Sequence, residues 1–99
     1  MITGKQRAYL RSLAVDMDTI FQLGKEGVSE AFVRQLDQAL EKREMIKFKV
    51  LDTAMLDLRE TADELARLTH SETVQVIGKK IVLYRRAREA KNRKIMLPR

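Results

Sequence analysis

Apolar residues recur with a helical period near the start of the chain. This spacing predicts a first helix from Gly4 to Val15, and Thr3 followed by Gln6 forms the pattern of a capping box at its amino end. The buried face of this helix is predicted to carry Gln6, Tyr9, Leu10, Leu13 and Met17.

A short β-branched and aromatic run follows, from Thr19 to Leu23, and it favours a buried strand that ends at Gly24. Ser29 then offers an N-cap for a second helix ending near Arg43. Apolar residues recur in this helix at spacings of three and four, namely Phe32, Val33, Leu36, Ala39 and Leu40.

Between Met45 and Leu51 the hydrophobic period changes from about 3.6 to about 2 residues, which predicts a second strand. Its inward residues are Ile46, Phe48 and Val50, whereas Lys47 and Lys49 point outward. A third helix begins at Asp57 or at Thr61 and ends around His70, and its predicted buried stripe consists of Leu58, Ala62, Leu65, Ala66 and Leu68.

Two β-rich runs close the pattern, from Thr73 to Ile77 and from Ile81 to Tyr84. Gly78-Lys79-Lys80 joins them and suits a tight hairpin turn in which Gly supplies a positive φ. The predicted fold is therefore α/β, a single layered domain in the order α-β-α-β-α-β-β with a mixed four-stranded sheet. From Arg85 onward the chain has no clear apolar face, and we expect this stretch to be frayed in the free protein and helical on a partner.

Charge is distributed unevenly along the 99 residues. From Lys79 to Arg99 there are nine basic residues and one acidic residue, a formal charge of +8, whereas the eleven basic and thirteen acidic residues before Lys79 give −2. Such asymmetry is typical of a protein that binds a polyanion. Solubility, or attraction to an anionic membrane surface, would produce the same composition.

The sequence offers little for catalysis. It contains no cysteine and a single histidine, His70, which suits a helix end better than a catalytic base. No phosphate-binding loop, dinucleotide fingerprint or metal-ligand spacing occurs, so we expect neither an enzyme nor a metal or other cofactor. The amino terminus lacks the pattern of a signal peptide and no apolar run is long enough to span a membrane, which favours a cytoplasmic protein.

One loop carries a specific binding mechanism. Gly24 and Gly27 lack side chains, so the backbone between strand and helix can approach a ribose-phosphate chain closely, and the first N–H groups of the second helix would point at an anion. Lys25 adds a positive charge. The alternative is an ordinary turn, because two glycines between a strand and a helix also serve that purpose.

Two segments at this separation and in this element order resemble the CRM domain, of the bacterial single-domain YhbY or YqeI type. They are the GxxG loop in residues 23–29 and the closing hairpin in residues 76–85. The resemblance implies a fold similar to the carboxyl-terminal domain of translation initiation factor three. It also implies a protein that binds RNA in precursors of the large ribosomal subunit. Glu26 departs from the purely basic loop that phosphate binding favours.

We therefore predict an RNA-binding domain in residues 1–86 and a basic carboxyl-terminal tail in residues 87–99, acting as a monomer in ribosome assembly. The predicted RNA-binding residues are Gly24, Lys25, Glu26, Gly27, Ser29, Lys5, Arg7, Arg11, Lys79, Lys80, Arg85, Arg86 and Arg88. The alternative function is a protein-interaction adaptor whose basic tail docks on an acidic partner. Duplex DNA is a third candidate ligand, which the lack of a recognition-helix motif disfavours.

Overall fold

The computed structural model describes residues 2–99 and contains every element that the sequence predicts, in the predicted order. The three helices are α1 (Gly4–Ala14), α2 (Glu30–Arg43) and α3 (Leu58–Thr69). The four strands are β1 (Phe21–Leu23), β2 (Met45–Val50), β3 (Glu72–Ile77) and β4 (Lys80–Tyr84). Short 3₁₀ turns span Asp52–Ala54 and Ala90–Asn92.

The strands form one mixed sheet in the order β1-β2-β4-β3. β1 lies parallel to β2, and β4 is antiparallel to both β2 and β3. Gly78 has a φ of +57° in the β3–β4 turn, so the predicted mixed sheet and the predicted role of this glycine are both confirmed. β1 is shorter than the predicted strand, although the N–H of Ile20 still donates to the carbonyl of Lys47 (2.9 Å).

α2 and α3 cover one face of the sheet and enclose the larger part of the core. The inward side chains of β2 meet those of β4 and of the two helices there, and Phe32 packs edge-on against both Phe21 and Phe48, with ring centroids 6.4 and 5.7 Å apart. The α3 stripe differs from the prediction at one position. Leu68 is 38% exposed, whereas the next residue, Thr69, is buried. The hydroxyl of Thr69 donates to the carbonyl of Leu65 (2.8 Å), so its polar group is satisfied there.

α1 lies on the opposite face of the sheet. The capping box is confirmed, since the side chains and backbone N–H groups of Thr3 and Gln6 bond reciprocally. Its buried face was predicted incompletely: Leu10 and Ala14 are buried, whereas Tyr9 and Leu13 are 39% and 37% exposed. The reason is that α1 covers only part of this sheet face. A narrow stripe of side chains therefore makes all the contacts with the sheet, and the residues beside it stay exposed.

The carboxyl-terminal segment, residues 87–99, packs against the domain instead of fraying. Ala87 is buried, and Ile95 and Leu97 pack against the core beneath α1. The expectation of a frayed, helix-forming tail was wrong for a physical reason: the apolar residues are too sparse for a helical stripe but reach the core from an irregular backbone held by hydrogen bonds. No helix among residues 2–99 is long and apolar enough to cross a membrane.

Candidate nucleic-acid interface

The GxxG loop is a tight turn between β1 and α2. The N–H of Gly27 donates to the carbonyl of Gly24 (2.9 Å), which closes the turn around Lys25 and Glu26. Ser29 then caps α2, because its hydroxyl accepts from the N–H of Phe32 (3.1 Å). The remaining N–H groups of the first helical turn therefore lie directly behind the loop, where a helix end favours an anion.

The two glycines of the loop have different roles. Gly27 has a φ of +68°, in the left-handed region, and a Cβ atom built on it would meet no atom within 4 Å. A side chain there would occupy the open space above the loop. A Cβ atom on Gly24 would instead lie 3.5 Å from Cδ1 of Leu51, inside the protein, at an ordinary contact distance. Gly27 is thus the glycine that keeps the loop surface open.

The fold brings the loop and the β3–β4 turn to the same end of the sheet. The N–H of Leu51 donates to the carbonyl of Leu23 (2.9 Å), just before the loop, and the N–H of Val50 donates to the carbonyl of Lys79 (2.7 Å), in the turn. Three lysines therefore share this end and are exposed: Lys25, Lys79 and Lys80. Two segments more than fifty residues apart in the chain form one surface.

Lys49 joins these residues, although it is not in the predicted RNA-binding set. It stands directly opposite Lys80 across the β2–β4 pair, on the face away from α2 and α3. Like charges in facing positions destabilise a sheet, so the pair suits a surface that receives an anion. Asp52 offsets part of the charge through an ion pair with Lys79 (2.7 Å), and this hydrogen bond and the charges of Lys79 and Lys49 lower the pKa of Asp52. We call residues 24–27 with Lys49, Lys79 and Lys80 the loop-end surface.

The other predicted RNA-binding residues lie elsewhere. Arg85, Arg86 and Arg88 follow the far end of β4, about 13 Å or more from Lys80 at about 3.3 Å per strand residue. Lys5, Arg7 and Arg11 belong to α1, on the sheet face opposite α2. The structure therefore unites about half of the predicted set and separates the rest.

Arg85 is buried, in contrast to the surface role expected from the sequence. Its side chain is 7% exposed, and its guanidinium donates to the carboxylate of Asp37 (2.5 Å) and to the carbonyl of Thr69 (2.9 Å). Burial would raise the pKa of Asp37, but the hydrogen bond and charge of Arg85 outweigh it, and the pKa is lowered. Arg85 ties β4 to α2 and α3, and we do not retain it in the RNA surface.

Two glutamates at the carboxyl end of α2 hold the carboxyl-terminal segment. Glu44 is fully buried and accepts from the N–H groups of Ala87 (2.7 Å), Lys94 (2.6 Å) and Ile95 (2.8 Å). Burial acts to raise the pKa of Glu44, but these three bonds prevail and lower it. No pattern in the sequence identified this role, because Glu44 looks like one more charged residue at a helix end.

Glu41, one turn earlier on α2, holds the same segment. It accepts from the side chain of Asn92 (2.9 Å) and from the N–H groups of Arg88 and Glu89, and these bonds lower its pKa to about 2. The tail residue Arg88 also forms an ion pair with Asp37 (3.3 Å), so part of the charge of the basic tail is balanced within the domain.

The described residues contain no arrangement suited to metal chemistry. Across residues 2–99, no three histidine, aspartate or glutamate side chains come together as a metal site would require. What the loop-end surface offers instead is a small turn with open space above it, helix N–H groups behind it and lysines around it. These are the elements that bind a phosphodiester backbone.

The same two segments that build this surface correspond to a known domain. The model of the CRS1/YhbY (CRM) domain matches residues 2–85 of the chain. The chain belongs to the CRM domain family. The match includes β1 and its GxxG loop as well as the closing hairpin, so the resemblance seen in the sequence is confirmed.

Relatives of this CRM domain occur in bacteria and archaea. "Probable RNA-binding protein YqeI" of Bacillus subtilis is 44% identical over 98 residues, which are 99% of this chain and 100% of that protein. The "RNA-binding protein" of Haemophilus influenzae is 34% identical, covering 99% of this chain and 96% of that protein. "Probable RNA-binding protein MJ0652" of Methanocaldococcus jannaschii is 38% identical, covering 85% and 63%.

The fold of this CRM domain is also similar to a solved structure. The solution structure of the hypothetical protein SAV1595 from Staphylococcus aureus matches with a TM-score of 0.76 and 47% sequence identity. The match covers 99% of this chain and 100% of that one. The overall α/β fold of this CRM domain is therefore shared with that structure.

Proposed function

We propose that this CRM domain binds RNA at its loop-end surface without catalysing a reaction. The observation that carries the proposal is the meeting of the GxxG loop and the lysine-bearing β3–β4 turn at one end of the sheet. The names of its relatives in Bacillus subtilis and Haemophilus influenzae support RNA as the ligand. We further propose, from the family resemblance, that the RNA is ribosomal and belongs to precursors of the large subunit in the cytoplasm.

Binding would proceed through the phosphodiester backbone. The open space above Gly27 lets a phosphate approach the turn, and the first N–H groups of α2 and the ammonium groups of Lys25 and Lys80 then stabilise its charge. Glu26 at the tip of the loop reduces this attraction, so the lysines of the neighbouring turn and strand supply much of the charge. Lys49 is the residue that we add to the predicted set.

Sequence discrimination by base stacking would be modest. Phe32 and Phe48 lie in the core and Phe21 packs against them, so none of the three is a platform for unstacked bases. The exposed Lys5 and Arg86 lie away from the loop end and would add long-range attraction rather than direct contacts.

Crosslinking in the cells that naturally express the protein tests whether it binds ribosomal RNA through the loop-end surface. Tagged chain would be crosslinked to RNA with ultraviolet light, and the attached RNA sequenced. We expect reads concentrated in one region of large-subunit ribosomal RNA or its precursor. A loop variant carrying Lys25→Gln and Gly27→Asn should lose this enrichment, because Asn tolerates a positive φ but fills the space above the turn.

The matched control is Lys42→Gln, which removes the same charge from an exposed residue at the far end of α2. It should keep the enrichment. Scattered reads in the unmodified protein would contradict the ribosomal target. Equal enrichment in the loop variant would remove the loop from the site. A chain that purifies free of nucleic acid and whose complexes resist ribonuclease would instead favour the adaptor, with an acidic protein as its partner.

A further inference from the structure

A second basic surface lies at the edge of the sheet opposite the GxxG loop. The strand order places β1, which leads into the loop, at one edge and β3 at the other. A groove of about 730 Å³ runs along β3 between α1 and α3. Four arginines line it, two from each helix: Arg7, Arg11, Arg59 and Arg67. We call it the arginine groove.

Helical spacing explains why these side chains meet. Arg7 and Arg11 are one turn apart on α1, and Arg59 and Arg67 are two turns apart on α3, so each pair faces the same strand. No pattern in the sequence connects the two pairs, because residues 15–57 separate α1 from α3.

Most of the arginine charge in the groove has no partner in the part of the chain that the structure describes. Among residues 2–99, Arg11 and Arg59 have neither an ion pair nor a side-chain hydrogen bond, and Arg7 donates only a long hydrogen bond to the carbonyl of Thr73 (3.4 Å). Arg67 is paired with Glu64 (2.7 Å). The groove also contains two acidic residues, of which Asp63 accepts from the hydroxyl of Thr73 (3.2 Å), while Glu72 belongs to β3 itself.

The edge of β3 is poorly suited to pairing with a further strand. The β3–β4 register shifts between Thr73 and Gln75, and such a bulge disturbs the regular row of edge groups. Arg7 also covers the carbonyl of Thr73. An extended acidic peptide that adds to the sheet therefore fits less well than a ligand recognised by charge. Guanidinium groups around an open groove match the phosphates of a nucleic-acid backbone.

We propose that the arginine groove is a second RNA-binding site, which holds the phosphodiester backbone of a separate RNA segment. The inference rests on the proposed function of the loop-end surface. The GxxG loop follows β1 and the groove runs along β3, so the two lie three inter-strand spacings apart, about 15 Å. Lys79 and Lys80 lie closer to β3, in and beside the β3–β4 turn at the end of the strands. One chain would then bridge two RNA segments.

A capture assay tests the bridge. A short single-stranded RNA of mixed sequence is immobilised and saturated with the full chain, and a labelled copy of the same RNA is then added after washing. The unmodified protein should capture the second RNA. The groove variant Arg11→Gln with Arg59→Gln should still bind the immobilised RNA but capture about tenfold less of the second one. For capture of the second RNA, the slope of log K against log salt concentration should fall in magnitude by about 1.4, which is about 0.7 for each of the two lost contacts to a single strand.

The control variant Lys42→Gln with Arg43→Gln removes the same charge from exposed residues in the last turn of α2. It should behave like the unmodified protein. Equal capture by the groove and control variants, or no capture by the unmodified protein, would overturn the second site. Displacement of the second RNA by short poly-glutamate at equal charge would overturn it in favour of an acidic protein partner.

The same assay separates this proposal from the one on which it rests. The loop variant Lys25→Gln with Gly27→Asn should also lose capture while keeping binding through the groove. If the loop variant binds and bridges like the unmodified protein, the loop-end proposal fails, and a bridging defect in the groove variant still stands. If only the loop variant loses RNA, the loop-end proposal stands and the groove proposal fails.

Discussion

Replacing Glu44 with glutamine should release the carboxyl-terminal segment. Oε1 of Glu44 accepts from the N–H groups of Lys94 (2.6 Å) and Ile95 (2.8 Å), and Oε2 accepts from that of Ala87 (2.7 Å). A glutamine can keep one oxygen at the site of the first two bonds. Its amide NH₂ must then face the N–H of Ala87, so a donor opposes a donor in a buried place.

The magnitude follows from these bonds. One buried N–H left without an acceptor costs about 1–3 kcal/mol, and the other two bonds weaken because their acceptor is no longer charged. We expect Glu44→Gln to lower the free energy of unfolding by about 3 kcal/mol. For a chain of this size the melting temperature should fall by more than about 10 °C. The variant would also keep the strained backbone of this position, where φ is +63°, with fewer bonds to hold it.

Urea denaturation of four chains measures the effect and its origin. The set consists of the full chain and a chain ending at Arg86, each with and without Glu44→Gln, so that the double difference isolates the coupling to the segment. Glu44→Gln should lower the free energy of unfolding by about 3 kcal/mol in the full chain and by less than about 1 kcal/mol in the shortened one. An equal loss in both chains would show that Glu44 stabilises the fold without the segment, and would contradict the proposed role of the three bonds.

Three further predictions follow from individual side chains. Arg85→Met should lower the free energy of unfolding by about 2 kcal/mol, because it removes the buried partner of Asp37. The same change at the neighbouring exposed residue, Arg86→Met, should alter it by less than about 0.5 kcal/mol. Urea denaturation measures both, and equal effects would contradict a buried role for Arg85. The pKa values of Glu44 and Glu41 are lowered from 4.5, that of Glu41 to about 2. Below pH 4.5 the unfolded chain therefore binds more protons than the folded one, and the free energy of unfolding should fall as the pH drops towards 2. A free energy of unfolding that stays constant over this range in denaturation experiments would contradict the prediction. Lys49→Gln should raise stability by about 0.5 kcal/mol and lower the slope of log K against log salt concentration for single-stranded RNA by about 0.7. Denaturation and titration with RNA measure the two effects, and an unchanged slope would exclude Lys49 from the surface.

Local patterns were sufficient for the elements and most of the core. The capping box at Thr3 and Gln6, the cap at Ser29 and the alternation through β2 depend on neighbouring residues, and the structure follows them closely. The errors on the helix faces lie where a helix meets a surface of limited width, as at Leu13 and Leu68, and the other error in the fold is the packed carboxyl-terminal segment. Periodicity indicates which side chains share a face but not how much of that face is covered.

The composition of the two basic surfaces could be predicted only in part from the sequence. The order of elements, the open glycine loop and the excess of positive charge could be predicted from the sequence, because each depends on residue types and on spacings of a few positions. Which charges meet depends on the tertiary structure. Lys49 faces Lys80 because of the strand register, Arg59 reaches the groove of Arg7 because of helix packing, and the buried Arg85 is neutralised by Asp37. Contacts between residues that are distant in the sequence depend on the packing of the whole chain, so local spacing does not predict them.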